Sequence, residues 1–421
     1  MVSADDDYPR HDYVMEREGL ENLCKWSLAD PNQKCPHIME TRDHTKKIKD
    51  SVLDCVGNTP MIRINNITQA ENIECEILVK AEFLNPGGSV KDRIGRRMVV
   101  DAENEGRIKK GDILIEPTSG NTGVGLSMAA AARGYRMIIT MPEKMSQEKQ
   151  DALKGLGAVV VRTPTAYAFD HAKCHIGIAI ELVNKLENAH CLDQYKNTGN
   201  PMAHYQETGQ EIWDQCEGKI DYLVLGTGTG GTMTGIARKL KEKNPNIKII
   251  AVDPEGSILA QPESINGPGP EGGQQVEGIG YDFIPRVLDR TLADYWIKGP
   301  DKESYLWARR LMREEGLMCG GSSGTAFWAA VKYIKENNIG KGKRVVVVLP
   351  DNIRNYMTKH LNDDWMYERG YISEADCAAG AKSDLIPNED WGQELTVADL
   401  VLPDAVFVEA DMSIRDAVDR F

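Results

Sequence analysis

Two stretches of this chain run from a short apolar strand through a turn of glycine and hydroxyl residues straight into a helix, and that order leaves few folds open. The first is Ile113 to Glu116, then Pro117-Thr-Ser-Gly-Asn-Thr-Gly-Val-Gly125, then the apolar helix Leu126 to Ala132. The second is Tyr222 to Leu225, then Gly226-Thr-Gly-Thr-Gly-Gly-Thr-Met-Thr-Gly235, then the basic helix Ile236 to Lys243. Strand, turn and helix in repeated succession call for a largely parallel sheet covered by helices, an α/β layer fold. The β-rich runs Glu76 to Lys80, Asp112 to Glu116, Arg136 to Met141, Ala158 to Arg162, Ile249 to Val252 and Arg344 to Leu349 supply further strands. At 421 residues the chain exceeds what one hydrophobic core organises, so a two-lobed body with appendages is expected.

Composition sets the limits around that body. Residues 1–45 are polar, broken by Pro9, Pro31 and Pro36, and read as an irregular arm. Residues 46–370 form the body, 371–395 a linker rich in Ala, Gly, Asp and Glu, and 396–421 the incomplete start of a small module, with no internal repeat. The final segment opens like a Bateman-type regulatory domain and is expected to be poorly packed unless a partner covers it. A net charge of −14 repels phosphate backbones, so nucleic acid is not expected as a partner. No apolar run approaches the length of a membrane span, and residues 1–20 carry acidic side chains including Asp5, Asp6, Asp7, Glu16 and Glu18 and no apolar leader. Nine scattered cysteines suit reduced thiols, and a cytoplasmic address is the simplest expectation.

The turns carry the chemistry. Asn85-Pro-Gly-Gly-Ser-Val-Lys-Asp-Arg93 puts Lys91 just after a glycine turn at the start of a helix through Arg96 and Val99, where desolvation can free its amine for bonding to a carbonyl. Taken alone, Lys91 reads more readily as a surface lysine near a helix cap, and it is the accompanying motifs that favour the chemical role. Thr118, Ser119, Gly120 and Thr122 offer hydroxyls and free amides at a helix start, a site for an amino acid's carboxylate, with Asn121 able to reach a ring hydroxyl. A plain helix cap accounts for one hydroxyl there, not for the whole run. Gly228, Thr229, Gly230, Gly231 and Thr232 form a loop whose amides converge on a phosphate monoester. Gly226, Gly228 and Gly231 also fit the spacing of a dinucleotide fold, with Asp253 beyond the next strand, and that reading stays open on spacing alone. Cys319-Gly-Gly-Ser-Ser-Gly324 precedes an apolar helix, Ala326 to Ile334, and places Ser322 to face a pyridine nitrogen. A hydroxyl there does not hold the nitrogen protonated, which favours β-elimination and replacement over deeper carbanion chemistry.

Taken in order, these segments resemble the β-family of pyridoxal phosphate (PLP) enzymes, which share the tryptophan synthase β-like fold, across the whole body. The resemblance implies that Lys91 bonds the cofactor, that Thr118 to Thr122 hold the substrate carboxylate, that Gly228 to Thr232 cup the phosphate and that Ser322 meets the ring nitrogen. Met141-Pro-Glu-Lys-Met145, Asp193-Gln-Tyr195, Val276-Glu-Gly-Ile-Gly-Tyr-Asp282 and Asn355-Tyr-Met-Thr-Lys359 are similar to the animal cystathionine β-synthases within that family. That likeness implies condensation of L-serine with L-homocysteine, hydrogen sulfide from cysteine as a side activity, and a homodimer. It implies substrate contacts at Gln194, Tyr195, Gly280 and Tyr281. It also makes the N-terminal segment a haem-binding arm, with Cys24 and His37 as axial ligands of haem b and Arg238 as the partner of the haem thiolate. Read from spacing alone, Cys35 and His44 compete for those ligand roles. Some relatives carry a pair of cysteines near Lys243-Asn-Pro-Asn-Ile247; this chain has none there, so no disulfide switch is expected at that point. Cysteine synthase acting on O-acetylserine, serine or threonine dehydratase, and a non-enzymatic ligand-sensing scaffold are the rival readings of the same loops.

Overall fold

The structure, a computed structural model, describes residues 35–40, 42–118, 120–165, 167–271 and 273–376. The chain divides into two compact units, Met1–Tyr371 and Ile372–Phe421. The expectations placed on Cys24, on Ser119 and on the segment from 377 onward lie outside the described residues.

The strands of the first unit are β1 (Met61–Arg63), β2 (Glu76–Ala81), β3 (Ile113–Pro117), β4 (Arg136–Pro142), β5 (Val159–Thr163), β6 (Ala189–Cys191), β7 (Tyr222–Gly226), β8 (Lys248–Pro254), β9 (Tyr295–Gly299) and β10 (Arg344–Leu349). The helices are α1 (Asn66–Ala70), α2 (Lys91–Asn104), α3 (Asn121–Arg133), α4 (Gln147–Gly155), α5 (His175–Lys185), α6 (Gly199–Ala203), α7 (Gly209–Gln215), α8 (Gly231–Lys243), α9 (Asp301–Glu315), α10 (Gly321–Glu336) and α11 (Asp363–Glu368). A π-helical turn, His204–Thr208, joins α6 to α7.

Two sheets make two lobes, as a β-family PLP enzyme requires. One is six-stranded, in the order β1-β2-β10-β7-β8-β9, and the other four-stranded, β5-β4-β3-β6. Every pairing is parallel except β1 with β2. The run of valines in β10 explains its central place. Val345, Val347 and Leu349 enter one core with Val224 and Ile250, while Val346 and Val348 enter another with Leu223 and Ile249. A strand covered on both faces has no polar side to alternate with, which is why β10 is uniformly apolar. In the smaller lobe Leu114, Met137 and Ile139 face α2 and α3, and Ile113, Ile115 and Ile138 face α5.

The contact of α2 with α3 positions the site. A Cβ on Gly95 would lie 2.4 Å from the carbonyl carbon of Gly125, and one on Gly125 would lie 2.6 Å from the carbonyl oxygen of Lys91. Only glycine lets the two backbones approach so closely, and the approach sets the start of α2, with Lys91, against the start of α3, with Asn121 and Thr122. A buried ion-pair network braces α2 from the other side. Arg93 reaches Glu82 (2.7 Å) and Glu211 (2.7 Å), and Lys80 reaches Glu211 (2.6 Å).

Candidate active site

The C-terminal ends of β3, β7 and β10 open on one pocket, the position where parallel sheets present ligand sites. Its lining brings together Lys91, Asn121, Thr122, Gln194, Gly228, Thr229, Gly230, Thr232, Tyr281 and Ser322, all singled out from the sequence. Gly231 lies immediately beyond, as the first residue of α8.

Lys91 is the first residue of α2, held by Val90 N–H donating to the Pro350 carbonyl (2.7 Å) and by its own N–H donating to Ser89 Oγ (3.2 Å). Withdrawal from water lowers its pKa to about 8, against the opposing charge of Asp351. At neutral pH about one amine in ten is then unprotonated, against about one in three thousand for an ordinary lysine.

The turn after β3 forms a shelf. Thr118 Oγ1 accepts the Gly120 N–H (3.2 Å), and Thr122 donates its hydroxyl to Gln194 Oε1 (2.6 Å). Gln194 is fixed in turn: its Nε2 donates to the Pro117 carbonyl (3.2 Å), and its N–H donates to the Glu116 carboxylate (2.8 Å), which also accepts the Asp193 N–H (3.0 Å). Burial, followed by the nearby Asp193 charge, pushes the Glu116 pKa up to about 8.

Opposite the shelf, Gly228, Thr229, Gly230 and Thr232 line the pocket where the chain leads into α8. Gly230 has φ +83°, and a Cβ there would meet Leu288 at 2.4 Å, so the bend admits no side chain. Thr229 Oγ1 accepts from Asn200 Nδ2 (3.0 Å), and Thr232 hydrogen-bonds His204 Nε2 (3.2 Å). Burial lowers the His204 pKa to about 3 and keeps the ring neutral beside the loop. Asn200 Nδ2 also donates to the Gln194 carbonyl (2.8 Å), joining the loop to the shelf.

Ser322 lies in the first turn of α10, 2% exposed. Tyr281 covers the pocket, and Tyr195 packs edge-on against its ring at 5.5 Å and against Phe283 at 5.2 Å. Tyr195 is absent from the lining and stands behind Tyr281; Gly280 turns the chain before it at φ +80°. Arg238 on α8 pairs with Asp289 (3.1 Å), and its charge helps to lower the pKa of His37, after burial and Arg97.

Sequence reasoning passed over the roles of Glu116, Asn200, His204 and Asp351, and noted Asn355 and Tyr356 only as part of a family-like segment. Asn200 and His204 carry no motif and act through partners in distant segments. Asp351 did have a signal, since it follows directly on β10 at the end of the sheet where ligands gather.

Residues 52–351 match the family model of pyridoxal-phosphate dependent enzymes. Cystathionine β-synthase of Dictyostelium discoideum is 55% identical over 373 residues, 89% of this chain and 73% of that protein. The mouse cystathionine β-synthase is 50% identical over 407 residues, 97% of this chain and 70% of its own length. Among solved structures, a hydrogen sulfide-producing enzyme from Fusobacterium nucleatum is 39% identical with a TM-score of 0.68, covering 73% of this chain and all of that one. With Lys91, the shelf and the glycine loop converging on one pocket, the chain belongs to the pyridoxal-phosphate dependent enzymes and, within them, to the cystathionine β-synthases.

Proposed function

We propose that the pocket of Lys91 condenses L-serine with L-homocysteine to L-cystathionine and water. The observation that carries this reading is the meeting, in one pocket, of a lysine with a lowered pKa, a carboxylate shelf and a glycine loop shaped for a phosphate. The residues fit pyridoxal phosphate. A Cβ on Gly228 would lie 2.6 Å from the Gly278 carbonyl oxygen, so the loop can pass this close to residue 278 only as glycine, and Ser322 brings to the pocket a hydroxyl suited to a ring nitrogen as a neutral partner. When bound, the cofactor supplies an aldehyde carbon for Lys91 Nζ and a conjugated ring that takes up the electrons released at the substrate's Cα.

The protein's own groups do the rest. Gly228 to Thr232 and the start of α8 hold the phosphate dianion by amides and helix polarity. Thr118, the Gly120 amide, Thr122 and Gln194 hold serine's carboxylate, and Asn121 meets the ring hydroxyl. Lys91 Nζ, as a free amine, would remove the Cα proton and later return it. The serine Cβ–O bond breaks and its oxygen leaves as water. The homocysteine sulfur forms the new bond to Cβ, and the proton its thiol gives up balances the one the departing hydroxyl takes to become water. Tyr281, backed by Tyr195, covers the pocket and keeps water from Cβ.

Lys91→Ala tests the assignment: the protein should still bind the cofactor, without the borohydride-trappable bond, and lose turnover. Near-normal turnover refutes the role. Product analysis with and without homocysteine separates the reading from its rivals, because a dehydratase releases a keto acid from serine alone and a cysteine synthase prefers O-acetylserine and sulfide. With cysteine in place of serine the same steps release hydrogen sulfide.

The same reading carries haem b, bound by Cys24 and His37 with Arg238 beside the thiolate. In its support, His37 is partly buried and within reach of the Arg97 and Arg238 charges, a setting that keeps the imidazole neutral and fit for iron. A Soret band lost in His37→Ala and retained in His44→Ala is the expected result. A homodimer and a cytoplasmic address belong to the same reading. Exposed Leu84, Met318 and Met357 are surfaces that a second copy would cover, and sedimentation of a monomer would remove that part.

A further inference from the structure

The carboxyl group of Asp351 is 1% exposed and lines the pocket of Lys91, yet none of the steps above uses it. It stands where three catalytic loops meet. Its backbone bridges to Ser89, two residues before Lys91, and its carbonyl accepts the Gly320 N–H (2.9 Å), two residues before Ser322. Its side chain reaches the third. Asp351 Oδ2 accepts from Asn121 Nδ2 (2.8 Å) and from the Tyr356 hydroxyl. On the far side of the same amide, Asn355 Nδ2 donates to Asn121 Oδ1 (3.0 Å).

An amide has one accepting and one donating end, and this pair of partners fixes which is which. Burial raises the Asp351 pKa, opposed by the Lys149 charge and by the hydrogen bonds from Tyr356 and Asn121. With both of those groups donating to it the carboxylate only accepts, so Asn121 turns Nδ2 toward Asp351, and Asn355 then finds the carbonyl end. Nδ2 carries two hydrogens. Asp351 takes one, and the second remains as a donor inside the pocket. A reversed amide would present an oxygen to Asp351, placing two acceptors face to face in a dry site.

We propose that Asp351 is a positioning residue for the cofactor's ring, locking Asn121 so that its remaining N–H donates to the ring hydroxyl. The ring hydroxyl shares a proton with the nitrogen of the bond to Lys91, so a donor held beside it favours the form in which that proton lies on nitrogen. Tyr356 and Asn355 hold the two ends of the arrangement and come from the turn that follows Asp351.

The inference rests on the reading that the cofactor is bound through Lys91, and the holoenzyme's absorption spectrum separates the two. If the unsubstituted protein shows no cofactor band trapped on Lys91 by borohydride, the parent reading fails. If it does, Asp351→Asn is compared with it. The new amide can offer a donor to Asn121, so the Asn121 amide is free to reverse. The ratio of the long-wavelength to the short-wavelength cofactor band should fall roughly fivefold, the change one neutral hydrogen bond makes in an equilibrium. Asn355→Ala should shift the ratio in the same direction, and more weakly, which keeps the inference testable if Asp351→Asn folds poorly. In Asn121→Ala protein, adding Asp351→Asn should change the ratio little, because the residue acts through Asn121. An unchanged ratio in Asp351→Asn and in Asn355→Ala, or fully additive effects in the double variant, overturns the proposal.

Discussion

Lys91 feels two opposed influences, withdrawal from water and the Asp351 carboxylate, and the first prevails. In cofactor-free protein only the neutral amine can attack an aldehyde. The rate of pyridoxal phosphate capture should therefore rise about tenfold per pH unit and flatten above about 8. Stopped-flow absorbance checks this, and a plateau reached only near 10.5 would contradict it. Glu116 titrates with the opposite consequence. Its folded-state pKa, about 8, lies above the ordinary carboxyl value of 4.5, so its contribution to stability is complete below about 4.5 and is lost as the pH climbs to about 8. Glu116→Gln should accordingly lose less stability than the parent between those pH values in urea titrations, and an equal loss would show that the carboxyl is not the source. Lys91, Thr122, Gly228 to Thr232 and Ser322 were legible in the sequence because each sits in a local run whose residue types have few other uses. Glu116 and Asp351 were not, because a carboxyl's role depends on what burial and distant partners do to it. Those partners are Gln194, 78 residues from Glu116, and Asn121, 230 residues from Asp351.

At the scale of elements the closest tolerance is the crossing of α2 and α3. Gly125→Ala would set a methyl carbon 2.6 Å from the Lys91 carbonyl oxygen, and the helices must separate to accept it. Overpacking of this kind costs about 1–3 kcal/mol, and here it should also displace Lys91 from the shelf. We expect a lower denaturation midpoint together with a weakened cofactor band. A variant with normal absorption and stability would mean that the helices can part without moving the site. All seven strands expected from apolar runs are present, with ends within two residues of their expected places. β1, β6 and β9 escaped notice for physical reasons. Three residues, as in β1 and β6, are too few to show a period, and β9 is an edge strand whose Tyr295 and Lys298 leave the pattern mixed.

Across the whole molecule, the ion pairs of Arg93 join segments that lie far apart in the chain. Glu82 follows β2, Arg93 belongs to α2, and Glu211 on α7 also receives Lys80 from β2. Removing Arg93 leaves Glu82 fully buried without its cation, a loss of about 3–5 kcal/mol, and Arg93→Lys should recover little because one ammonium cannot span both carboxylates. Urea denaturation of the two variants gives the comparison, and a lysine variant as stable as the parent would show that charge alone suffices. The arm is tied to the same frame by Arg42 with Glu207 (2.9 Å) and by Glu40 with Arg96. The glycine crossing of α2 and α3 has a consequence for how such molecules diverge. Lys91 and the turn after β3 form one jaw, while the glycine loop after β7 and residues 278 to 281 approach from the other side of the pocket. A descendant that takes a different second substrate can reshape the lid side and inherit the first jaw intact, like a vice in which only one cheek is ever changed.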